Sequence, residues 1–560
     1  MTLSRSDALK HLTAPGQPYE LKAMNIRDIP CRVFVNAPKS LRELIGENVS
    51  DNTFIVYQDE RYTFEDIYRL ACRLATAMMQ DYGILKGDRV ALSMRNYPEW
   101  IIGFTAATSI GAVAVAMNAW WESDEIETGL KDCGAKLILA DQERLDRLQL
   151  VIHQLDVAVI SIRADSSNTL GTPYTQVISK YPDQQHMPQI QVHPEDVATL
   201  FYTSGSTGFP KGAMATHRNI ISALLSWELD GQSSLISTGT SAPELSYQNA
   251  TLLAVPLFHA TGSHAVYLSS YRTQRKLVAM YKWDPNAAAK LIDTEQISSF
   301  IAPAAMTGDL VEAAKQGRHD LSTLLTVGGG GAPRAPEQVK DIEQSFKTAL
   351  PNTGWGMTET NAIGTGISGA DYLTRPASSG RASAVVDLKI VDSQGQTLDP
   401  LEPGELLIRG VSVIPGYWQR PEANAETFVD GWLRTGDVAY LDEEGFLFIV
   451  DRIKDLIIRG GENIGCGEVE AALVQHPLVV EASVYAIPDE RLGEAVGATV
   501  YADTTLGEAE LQSFLGEHLA KFKIPAHIYF ADEHLPRIAS GKIFKRHLRE
   551  QALNHLGIGH

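Results

Sequence analysis

Short apolar runs alternate with longer helix-like segments between about residues 41 and 195. The clearest runs, at residues 54–57, 89–93 and 136–140, are rich in aliphatic residues and are typical of buried strands. The segments between them repeat apolar residues at helical spacing. Strands that alternate with helices are typical of a largely parallel sheet covered by helices, so this part of the chain is predicted to be α/β.

The second half of the chain carries two further patterns. Residues 380–450 contain short strand-like runs separated by turn residues, of which 387–391, 404–409 and 445–450 are the clearest. From Glu468 onward the order is helix, strand, strand, helix. This order predicts a small α+β unit at the C-terminal end.

One apolar stretch is long enough to span a bilayer. Residues 100–121 carry no charge, and about 20 apolar residues suffice to cross a membrane. Glycine, serine, threonine and asparagine interrupt the stretch, so a buried helix leading into a buried strand at residues 112–116 is the better interpretation. Residues 231–249 are polar and serine-rich, and are predicted to form an exposed loop.

Composition limits the class of protein. The chain has 560 residues, 44% of them hydrophobic, which is ordinary for a soluble protein and too long for a single core. A net charge of −20 argues against nucleic acid as a partner, because such binding needs a basic surface. The four cysteines lack metal-ligand or disulfide spacing and no apolar leader follows Met1, so a cytoplasmic setting is expected. Peripheral contact with a membrane and a homodimer both stay open.

The most distinctive stretch reads Tyr-Thr-Ser-Gly-Ser-Thr-Gly-Phe-Pro-Lys-Gly at residues 202–212. A strand-like run precedes it, and a helical pattern with Thr216 as the N-cap follows it. Glycines expose backbone N–H groups, hydroxyls add donors and Lys211 adds a positive charge, so this loop is predicted to hold polyphosphate. It differs from a Walker A loop, because Pro210 stands where the last glycine of that motif would be.

This loop resembles the phosphate loop of the adenylate-forming enzymes, a superfamily of acyl-CoA synthetases, aryl-CoA ligases, luciferases and peptide-synthetase adenylation domains. At least six ordered motifs carry the resemblance over about residues 40–550, and acyl-CoA synthetases are the most similar group. The resemblance implies a large N-terminal domain, residues 1–453, of parallel-sheet α/β subdomains plus a distorted β-barrel. It also implies a small, mobile α+β lid domain, residues 454–560, after a hinge at Lys454.

Two segments match the acyl pocket of the family. An apolar run ends at Phe258-His259, and the histidine at this position abuts the carboxylate substrate in the family. Peptide-synthetase adenylation domains carry an aspartate near here, and its absence favours an acid without an α-amine. The glycine run at residues 328–331 lets a flat ligand lie against backbone, and in the family it lines the adenine and the acyl group.

Residues 354–359, Gly-Trp-Gly-Met-Thr-Glu, form the second strong motif. An aromatic ring can stack on a purine, and a hydroxyl and a carboxylate beside it can hold Mg²⁺ through oxygen. The family usually has tyrosine where this chain has Trp355. Residues 364–369 spell the dinucleotide fingerprint Gly-x-Gly-x-x-Gly, but no helical pattern follows, so the match is interpreted as coincidence.

Three single residues complete the resemblance. Asp437 matches the aspartate that accepts the ribose hydroxyls, and Arg452 matches the arginine that reaches ribose or phosphate. Lys542, which follows Ser-Gly, matches the mobile catalytic lysine. Residues 465–467, Gly-Cys-Gly, depart from the aromatic–proline pair often found there in the family, and no role follows for the Cys466 thiol.

The resemblance gives each matching position an expected role. The expected catalytic residues are Lys542, Lys211, Glu359 and His259. The expected contacts to ATP and AMP are Thr203, Ser204, Gly205, Ser206, Thr207, Gly208, Lys211, Gly329, Gly330, Gly331, Ala332, Pro333, Gly354, Trp355, Gly356, Met357, Thr358, Asp437, Arg452 and Lys542. The expected acyl pocket consists of Trp227, His259, Gly262, Gly328, Gly329 and Gly354. The expected CoA contacts are Gly460 and Gly461, and the expected Mg²⁺ ligands are Thr203 and Glu359.

These roles imply an ATP- and Mg²⁺-dependent ligase that converts a carboxylic acid to acyl-AMP, releases pyrophosphate and transfers the acyl group to CoA. The segments of the pocket are mostly small or apolar, so a medium- or long-chain fatty acid is the expected substrate. Three alternatives stay open: a ligase for an aryl or sterol side-chain acid, an acyl-AMP ligase that loads a carrier protein, and a non-catalytic nucleotide- or lipid-binding relative. The last predicts loss of Lys542, Glu359 or Asp437, and all three are present.

Overall fold

The computed structural model describes residues 3–203, 210–330, 334, 336–346, 348–459, 462–502, 506–538 and 542–558. Two large sheets interleaved with helices build the N-terminal part, and a small sheet with its own apolar core follows them. This arrangement confirms the predicted α/β class with a large N-terminal and a small C-terminal domain. Within the ranges given, no helix combines the length and the apolar character needed to cross a membrane.

The first part of the chain ends with the strand that follows the phosphate loop. Its elements are α1 (Arg5–Leu12), β1 (Leu21–Ile26), β2 (Ile29–Phe34), α2 (Leu41–Glu47), β3 (Thr53–Tyr57), β4 (Glu60–Thr63), α3 (Phe64–Gln80), β5 (Arg89–Ser93), α4 (Pro98–Ser109), β6 (Val113–Ala116), α5 (Ser123–Cys133), β7 (Leu137–Asp141), α6 (Gln142–Gln149), a 3₁₀ turn (Ile152–Gln154), β8 (Ala158–Ile162), β9 (Thr172–Pro173), α7 (Tyr174–Ser179), β10 (Val197–Thr203) and β11 (Lys211–Thr216). In the first large sheet, strands β10, β6, β5, β7, β8 and β9 run parallel in that spatial order, and β11 pairs antiparallel with β10. Strands β1 and β2 form a separate two-stranded sheet, and β3 and β4 belong to the second large sheet.

The second sheet starts with a parallel half. Its elements are α8 (His217–Thr238), β12 (Ala250–Leu253), a π-helix (Thr261–Leu268), α9 (Ser269–Arg272), β13 (Lys276–Ala279), α10 (Pro285–Glu295), β14 (Ser299–Ile301), α11 (Ala304–Lys315), β15 (Thr326–Gly328), α12 (Pro336–Ser345), β16 (Leu350–Thr353), a 3₁₀ turn (Thr358–Thr360), β17 (Thr365–Ser368) and α13 (Gly369–Thr374). Strands β16, β15, β14, β12, β13 and β3 lie side by side and parallel.

The same sheet continues into an antiparallel half, which contains the strands predicted for residues 380–450. The elements are β18 (Gly380–Ala382), β19 (Val386–Val391), β20 (Gly404–Gly410), β21 (Gly416–Tyr417), α14 (Pro421–Thr427), β22 (Phe428–Val429), β23 (Trp432–Leu441) and β24 (Phe446–Arg452). The spatial order is β17, β18, β24, β23, β20, β19, while β21 leaves this half and pairs with β11 of the first sheet. The β21–β11 pair therefore ties the two large sheets together.

The C-terminal part has the predicted helix, strand, strand, helix order after a short hairpin. Its elements are β25 (Ile457–Arg459), β26 (Glu462–Ile464), α15 (Cys466–Val474), β27 (Val479–Asp489), β28 (Gly493–Ala502), α16 (Glu508–His518), a 3₁₀ turn (Lys521–Lys523), β29 (His527–Ala531) and α17 (Lys545–His555). Strands β27 and β28 form its long central hairpin. The boundary between residues 453 and 454 and the hinge at Lys454 stay predictions.

Two local predictions need revision and one is confirmed. Residues 231–238 continue α8 and are not a loop, because the helix is firmly started by the Thr216–Asn219 capping box and ends only at Gly239, with φ of 68°. A helix, α13, does follow the fingerprint glycines 364–369, but β17 before it is antiparallel to both neighbours, so no dinucleotide unit forms. The uncharged stretch 100–121 is the buried α4 and β6, as predicted.

Candidate active site

The hairpin of β10 and β11 brings the two ends of the predicted phosphate loop together. Thr203 and Lys211 are paired across it, and the Thr203 hydroxyl donates to the Lys211 carbonyl over 3.3 Å. The hydroxyl oxygen keeps its lone pairs for a cation while it donates its proton. The expected contacts Ser204, Gly205, Ser206, Thr207 and Gly208 lie outside the described residues.

Lys211 and Glu359 lie on either side of Tyr417. The Lys211 ammonium is 5.1 Å from the centroid of the Tyr417 ring, and the Tyr417 hydroxyl donates to Glu359 Oε1 over 2.7 Å. Glu359 sits in the 3₁₀ turn and is 6% exposed, and burial raises the pKa of its carboxyl group while the Tyr417 hydrogen bond opposes that rise. The strand β21 explains the grouping, because it carries Tyr417 alongside β11.

Tyr417 was missed in the sequence. It lies 58 residues from Glu359 along the chain, so no local spacing connects the two residues. The only signal is an aromatic pair after glycine at residues 416–418, which by itself fits ordinary packing equally well. Only the pairing of β21 with β11 reveals that the hydroxyl reaches the carboxylate.

Asp437 forms the second polar centre, and both of its oxygens are engaged. Trp355 Nε1 donates to Oδ2 over 2.8 Å, and Arg452 Nε lies 2.5 Å from Oδ1. Asp437 and Arg452 face each other on β23 and β24, so the strand register creates the ion pair. Burial raises the pKa of Asp437, and Arg452 and the Trp355 hydrogen bond act against that rise. The indole therefore donates a hydrogen bond to Asp437, in addition to the stacking role expected for its ring.

Close backbone packing accounts for the glycines of the predicted nucleotide and acyl segments. A Cβ atom would lie 2.1 Å from Asn352 O at Gly328, 2.6 Å from Ala302 O at Gly329, and 2.4 Å from Gly354 O at Gly330. At three other expected positions, Gly354, Gly356 and Gly262, it would meet backbone oxygens at 2.5, 2.5 and 2.1 Å. These contacts hold the loops after β15 and β16 against each other. The expected residues Gly331, Ala332 and Pro333 lie outside the part of the chain that the structure describes.

His259 follows β12 and immediately precedes the π-helix. Its Nε2 is buried and has no hydrogen-bond partner among the described residues. Burial, with repulsion by Lys542, lowers the pKa of His259 to about 4, so the ring is neutral at pH 7. The Phe258 ring packs next to it, with centroids 4.8 Å apart, and Trp120 packs edge-on against Phe258.

Lys542 comes from the C-terminal domain and faces this site. Lys542 is exposed to solvent, and its charge lowers the pKa of His259 and opposes the rise in the pKa of Asp437. The surrounding protein, and then repulsion by Arg452, lower the pKa of Lys542, and Asp437 opposes that change. An isolated bridge between Arg537 and Ile543 supports the backbone on either side of it.

The remaining expected residues have simpler surroundings. Trp227 is half-buried on α8 and packs against the main core. Met357 accepts the Thr360 N–H and starts the 3₁₀ turn that contains Thr358. Lys454 is exposed directly after β24. The expected CoA contacts Gly460 and Gly461 lie outside the described ranges.

The residues at this site fit a Mg²⁺ ion held jointly with a nucleotide. Mg²⁺ typically takes one or two carboxylates together with substrate phosphates, and Glu359 and the Thr203 hydroxyl offer such oxygen ligands. Across the described ranges, no group of three or more His, Cys, Asp or Glu residues could hold a metal ion without other ligands. The donor set therefore suits a cation that arrives with ATP.

Comparison with known families identifies the chain. A model described as AMP-binding enzyme matches residues 43–418, and one described as AMP-binding enzyme C-terminal domain matches residues 468–542. The chain belongs to the AMP-binding enzyme family. It is an AMP-forming acid–thiol ligase that joins an acyl or aryl acid to a thiol through an acyl-adenylate.

Its relatives are CoA ligases for different acids. It is 35% identical over 492 residues to 2-succinylbenzoate–CoA ligase of Geobacillus kaustophilus, covering 87% of this chain and 92% of that one. It is 33% identical over 497 residues to the long-chain-fatty-acid–CoA ligase FadD13 of Mycobacterium tuberculosis, covering 88% and 93%. It is 32% identical over 514 residues to 4-coumarate–CoA ligase 2 of Oryza sativa, covering 87% of each.

Solved structures agree with these relatives. The o-succinylbenzoate CoA synthetase of Bacillus subtilis in complex with its acyl-adenylate intermediate superposes with a TM-score of 0.77 at 27% identity, covering 91% of this chain and 98% of that one. The same synthetase in complex with ATP and magnesium gives a TM-score of 0.75 at 28% identity, covering 90% and 99%.

Proposed function

We propose that this enzyme activates an apolar carboxylic acid, with medium- and long-chain fatty acids as the first candidates, and transfers the acyl group to CoA. The observation that carries the proposal is the pair of polar groups formed by Lys211 and Glu359 around Tyr417 and by Asp437 and Arg452. The charge of Arg452 acts on both Glu359 and Asp437, and that of Lys542 acts on Asp437, which supports a single site. A site with these charges in place supports catalysis over simple nucleotide binding.

The first half-reaction joins two anions. A carboxylate oxygen of the acid forms a bond to the α-phosphorus of ATP, and the bond from that phosphorus to pyrophosphate breaks. Lys211 would hold the outer phosphates, and Lys542 would lie between the carboxylate and the α-phosphate. Fixed positive charges offset the repulsion and stabilise the charge that develops at phosphorus. Mg²⁺, bound by Thr203, Glu359 and the phosphates, supplies further neutralisation when present.

Asp437 is the proposed ribose ligand. A carboxylate oxygen has two lone pairs, so Oδ1 and Oδ2 can each accept a ribose hydroxyl while they keep Arg452 and Trp355. These two donors fix the plane of the carboxylate before the nucleotide arrives. Trp355 would then stack on the adenine with the face of its ring.

In the second half-reaction, the thiol sulfur of CoA replaces the phosphate oxygen of AMP on the acyl carbon. The sulfur of CoA forms a bond to the acyl carbonyl carbon, the bond from that carbon to AMP breaks, and the thiol proton leaves to solvent. This step attacks an uncharged carbonyl, so it depends less on Lys542 than the first step does. His259 stays neutral at pH 7 and adds no charge beside the acyl group.

The substrate class is the open part of the proposal. Trp227, His259, Gly262, Gly328, Gly329 and Gly354 are proposed to line the acyl pocket, and none of them carries a charge at pH 7. An apolar acid is therefore favoured over an amino acid. The relatives named for 4-coumarate and 2-succinylbenzoate make an aryl acid the second candidate.

The test uses the purified protein with ATP, Mg²⁺, CoA and a pool of acids from acetate through long-chain fatty acids to aryl and sterol side-chain acids. Mass spectrometry identifies any CoA thioesters. A thioester of a fatty acid confirms the proposal, and one of an aryl acid moves the assignment to the second candidate. Acyl-AMP without thioester indicates a carrier protein as the thiol donor, and no product with any acid contradicts the proposal.

A further inference from the structure

Asp451 links the N-terminal part of the molecule to the first helix of the C-terminal domain. It lies next to the end of β24, and its Oδ1 accepts the N–H of Arg452 over 2.7 Å. Its Oδ2 accepts the N–H of Cys466, the first residue of α15. The two partners lie on opposite sides of the predicted hinge at Lys454, so one carboxylate spans the predicted boundary.

The start of α15 needs such an acceptor. The first N–H groups of a helix have no partner within it and form the positive end of its dipole. Gly465, the N-cap residue, has no side chain that could accept one of them. The Asp451 carboxylate accepts the first of these N–H groups and acts as the cap from outside the helix. Burial raises the pKa of Asp451, and the two backbone N–H donors and the charge of Lys545 oppose that rise.

The glycine before Cys466 is explained by the same contact. A Cβ atom at Gly465 would lie 3.2 Å from Val450 O and 3.7 Å from Asp451 Oδ2, and one at Gly467 would lie 3.7 Å from Val450 O. Larger side chains at residue 465 would press the helix away from β24. Gly465 therefore permits the close approach that the Asp451 hydrogen bond requires, whereas a side chain at residue 467 would make an ordinary contact.

The Cys466 side chain has a local role. Its thiol is buried and donates to the Asp455 carbonyl, with Sγ and O 3.1 Å apart. Burial raises the pKa of this thiol, so it stays protonated. The backbone N–H of Cys466, and not its sulfur, makes the contact across the predicted boundary.

The same cluster reaches the segment that carries Lys542. Lys545, at the start of α17, forms an ion pair with Glu470 of α15 over 2.9 Å, and its charge also acts on Asp451. Lys545 is three residues beyond Lys542. A chain of contacts therefore runs from Asp451 through α15 and α17 to the lysine that faces the active site.

We propose that Asp451 is a positioning residue, which docks α15 on β24 and thereby sets the Lys542 ammonium in place for adenylate formation. The proposal rests on the role of Lys542 proposed above. Weakening the Asp451–Cys466 contact is expected to slow the first half-reaction, in which Lys542 offsets repulsion between anions. It is expected to leave thioester formation from a supplied acyl-AMP nearly unchanged.

The sharpest variant is Cys466→Pro, which removes the N–H and keeps the helix start. Proline is favoured at the first position of a helix, and Gly465, with ψ of 125°, has the extended conformation that a residue before proline prefers. The matched control is Cys466→Ala, which also removes the thiol but keeps the N–H. Comparison of the two variants isolates the hydrogen bond to Asp451.

We expect Cys466→Pro to slow acid-dependent pyrophosphate release about tenfold relative to Cys466→Ala, a typical effect of losing a hydrogen bond to a charged group. The rate of thioester formation from preformed acyl-AMP should differ less than twofold between them. Asp451→Asn, which keeps an oxygen but loses the charge, should shift the ratio of the two rates in the same direction. Equal effects on both half-reactions, or none in either variant, would overturn the proposal.

Limited trypsin digestion tests the docking without relying on activity. Lys454 is exposed beside the contact, so undocking of α15 should speed cleavage after this residue in Cys466→Pro but not in Cys466→Ala. Unchanged cleavage in Cys466→Pro contradicts the docking role. If the wild-type protein forms no acyl-AMP with any acid, the proposed function fails, while the digestion still decides whether Asp451 docks the domain.

Discussion

Lys542 carries the charge on which we propose that the first half-reaction most depends. Its charge acts on His259 and Asp437, and in the proposed mechanism it lies between the carboxylate and the α-phosphate. We expect Lys542→Ala to lower acid-dependent pyrophosphate release about 10²–10³-fold, as is typical for removal of one preorganised electrostatic donor. Thioester formation from supplied acyl-AMP should be nearly preserved, and stopped-flow or quench assays of each half-reaction measure the difference.

The control for that prediction is Lys521→Ala, which removes an exposed lysine from the same domain. It should leave both half-reactions unchanged, because the residue is not in the candidate site. A similar loss in both half-reactions for Lys542→Ala would instead assign this lysine a general role in folding or docking.

Trp355 differs from the tyrosine usual in the family, and the structure gives the difference a consequence. The indole N–H donates to Asp437 over 2.8 Å, so the ring fixes the orientation of the carboxylate that we propose binds the ribose. Trp355→Phe keeps an aromatic face and removes only this donor. We expect the KM for ATP to rise about tenfold, in line with a lost hydrogen bond to a charged group, while the KM for the acid changes little.

The competing explanation for Trp355 is stacking alone. In that case Trp355→Phe would bind ATP nearly as well as the wild type, and discrimination between ATP and its 2′-deoxy analogue would be unaltered. Loss of this discrimination together with a higher KM for ATP would show that the indole acts through Asp437.

At the scale of secondary-structure elements, the close approach of the segments at β16 and β17 requires glycine at residue 354 but not at residue 366. A Cβ atom at Gly354 would lie 2.5 Å from Thr365 O, whereas one at Gly366 would meet nothing within 4 Å. Gly354→Ala should therefore lower the free energy of unfolding by about 1–3 kcal/mol and weaken ATP binding. Gly366→Ala, the matched control, should change neither, and thermal unfolding with and without ATP measures both.

Motifs that are local in the chain could be predicted, and contacts between distant segments could not. The Thr216 cap, the buried α4 and β6, and the helix, strand, strand, helix order of the C-terminal domain follow from spacing that a few neighbouring residues determine. The Tyr417–Glu359 and Trp355–Asp437 hydrogen bonds join residues 58 and 82 positions apart, which only the tertiary fold brings together, as the pairing of β21 with β11 does for Tyr417. Cys466 illustrates the same limit, because the Asp451 carboxylate that accepts its backbone N–H lies on another sheet.

At the scale of the whole molecule, three buried histidines among the described residues make folding sensitive to acid, and two of them, His217 and His264, are not among the expected site residues. His217, at the start of α8, accepts the N–H of Leu41 on Nδ1 over 3.1 Å, and burial lowers its pKa to about 4, with Asp196 opposing and Lys86 adding to the shift. His264, in the π-helix, has Nδ1 2.9 Å from Ser263 Oγ, and burial lowers its pKa to about 3. Protonation of either ring places an uncompensated charge in the core.

The sign of the pH dependence follows from these depressed pKa values. Between pH 6.5 and about 4 the unfolded chain binds protons that the folded chain excludes, so stability is full above pH 6.5 and falls as the pH drops. At about 1.4 kcal/mol per pKa unit, His217 alone contributes about 3 kcal/mol. Thermal unfolding temperatures should fall over this range. His217→Asn, which keeps an acceptor for Leu41, should flatten the slope, whereas the exposed-residue control His153→Asn should not; an unchanged slope in His217→Asn would exclude His217 as a source of the acid sensitivity.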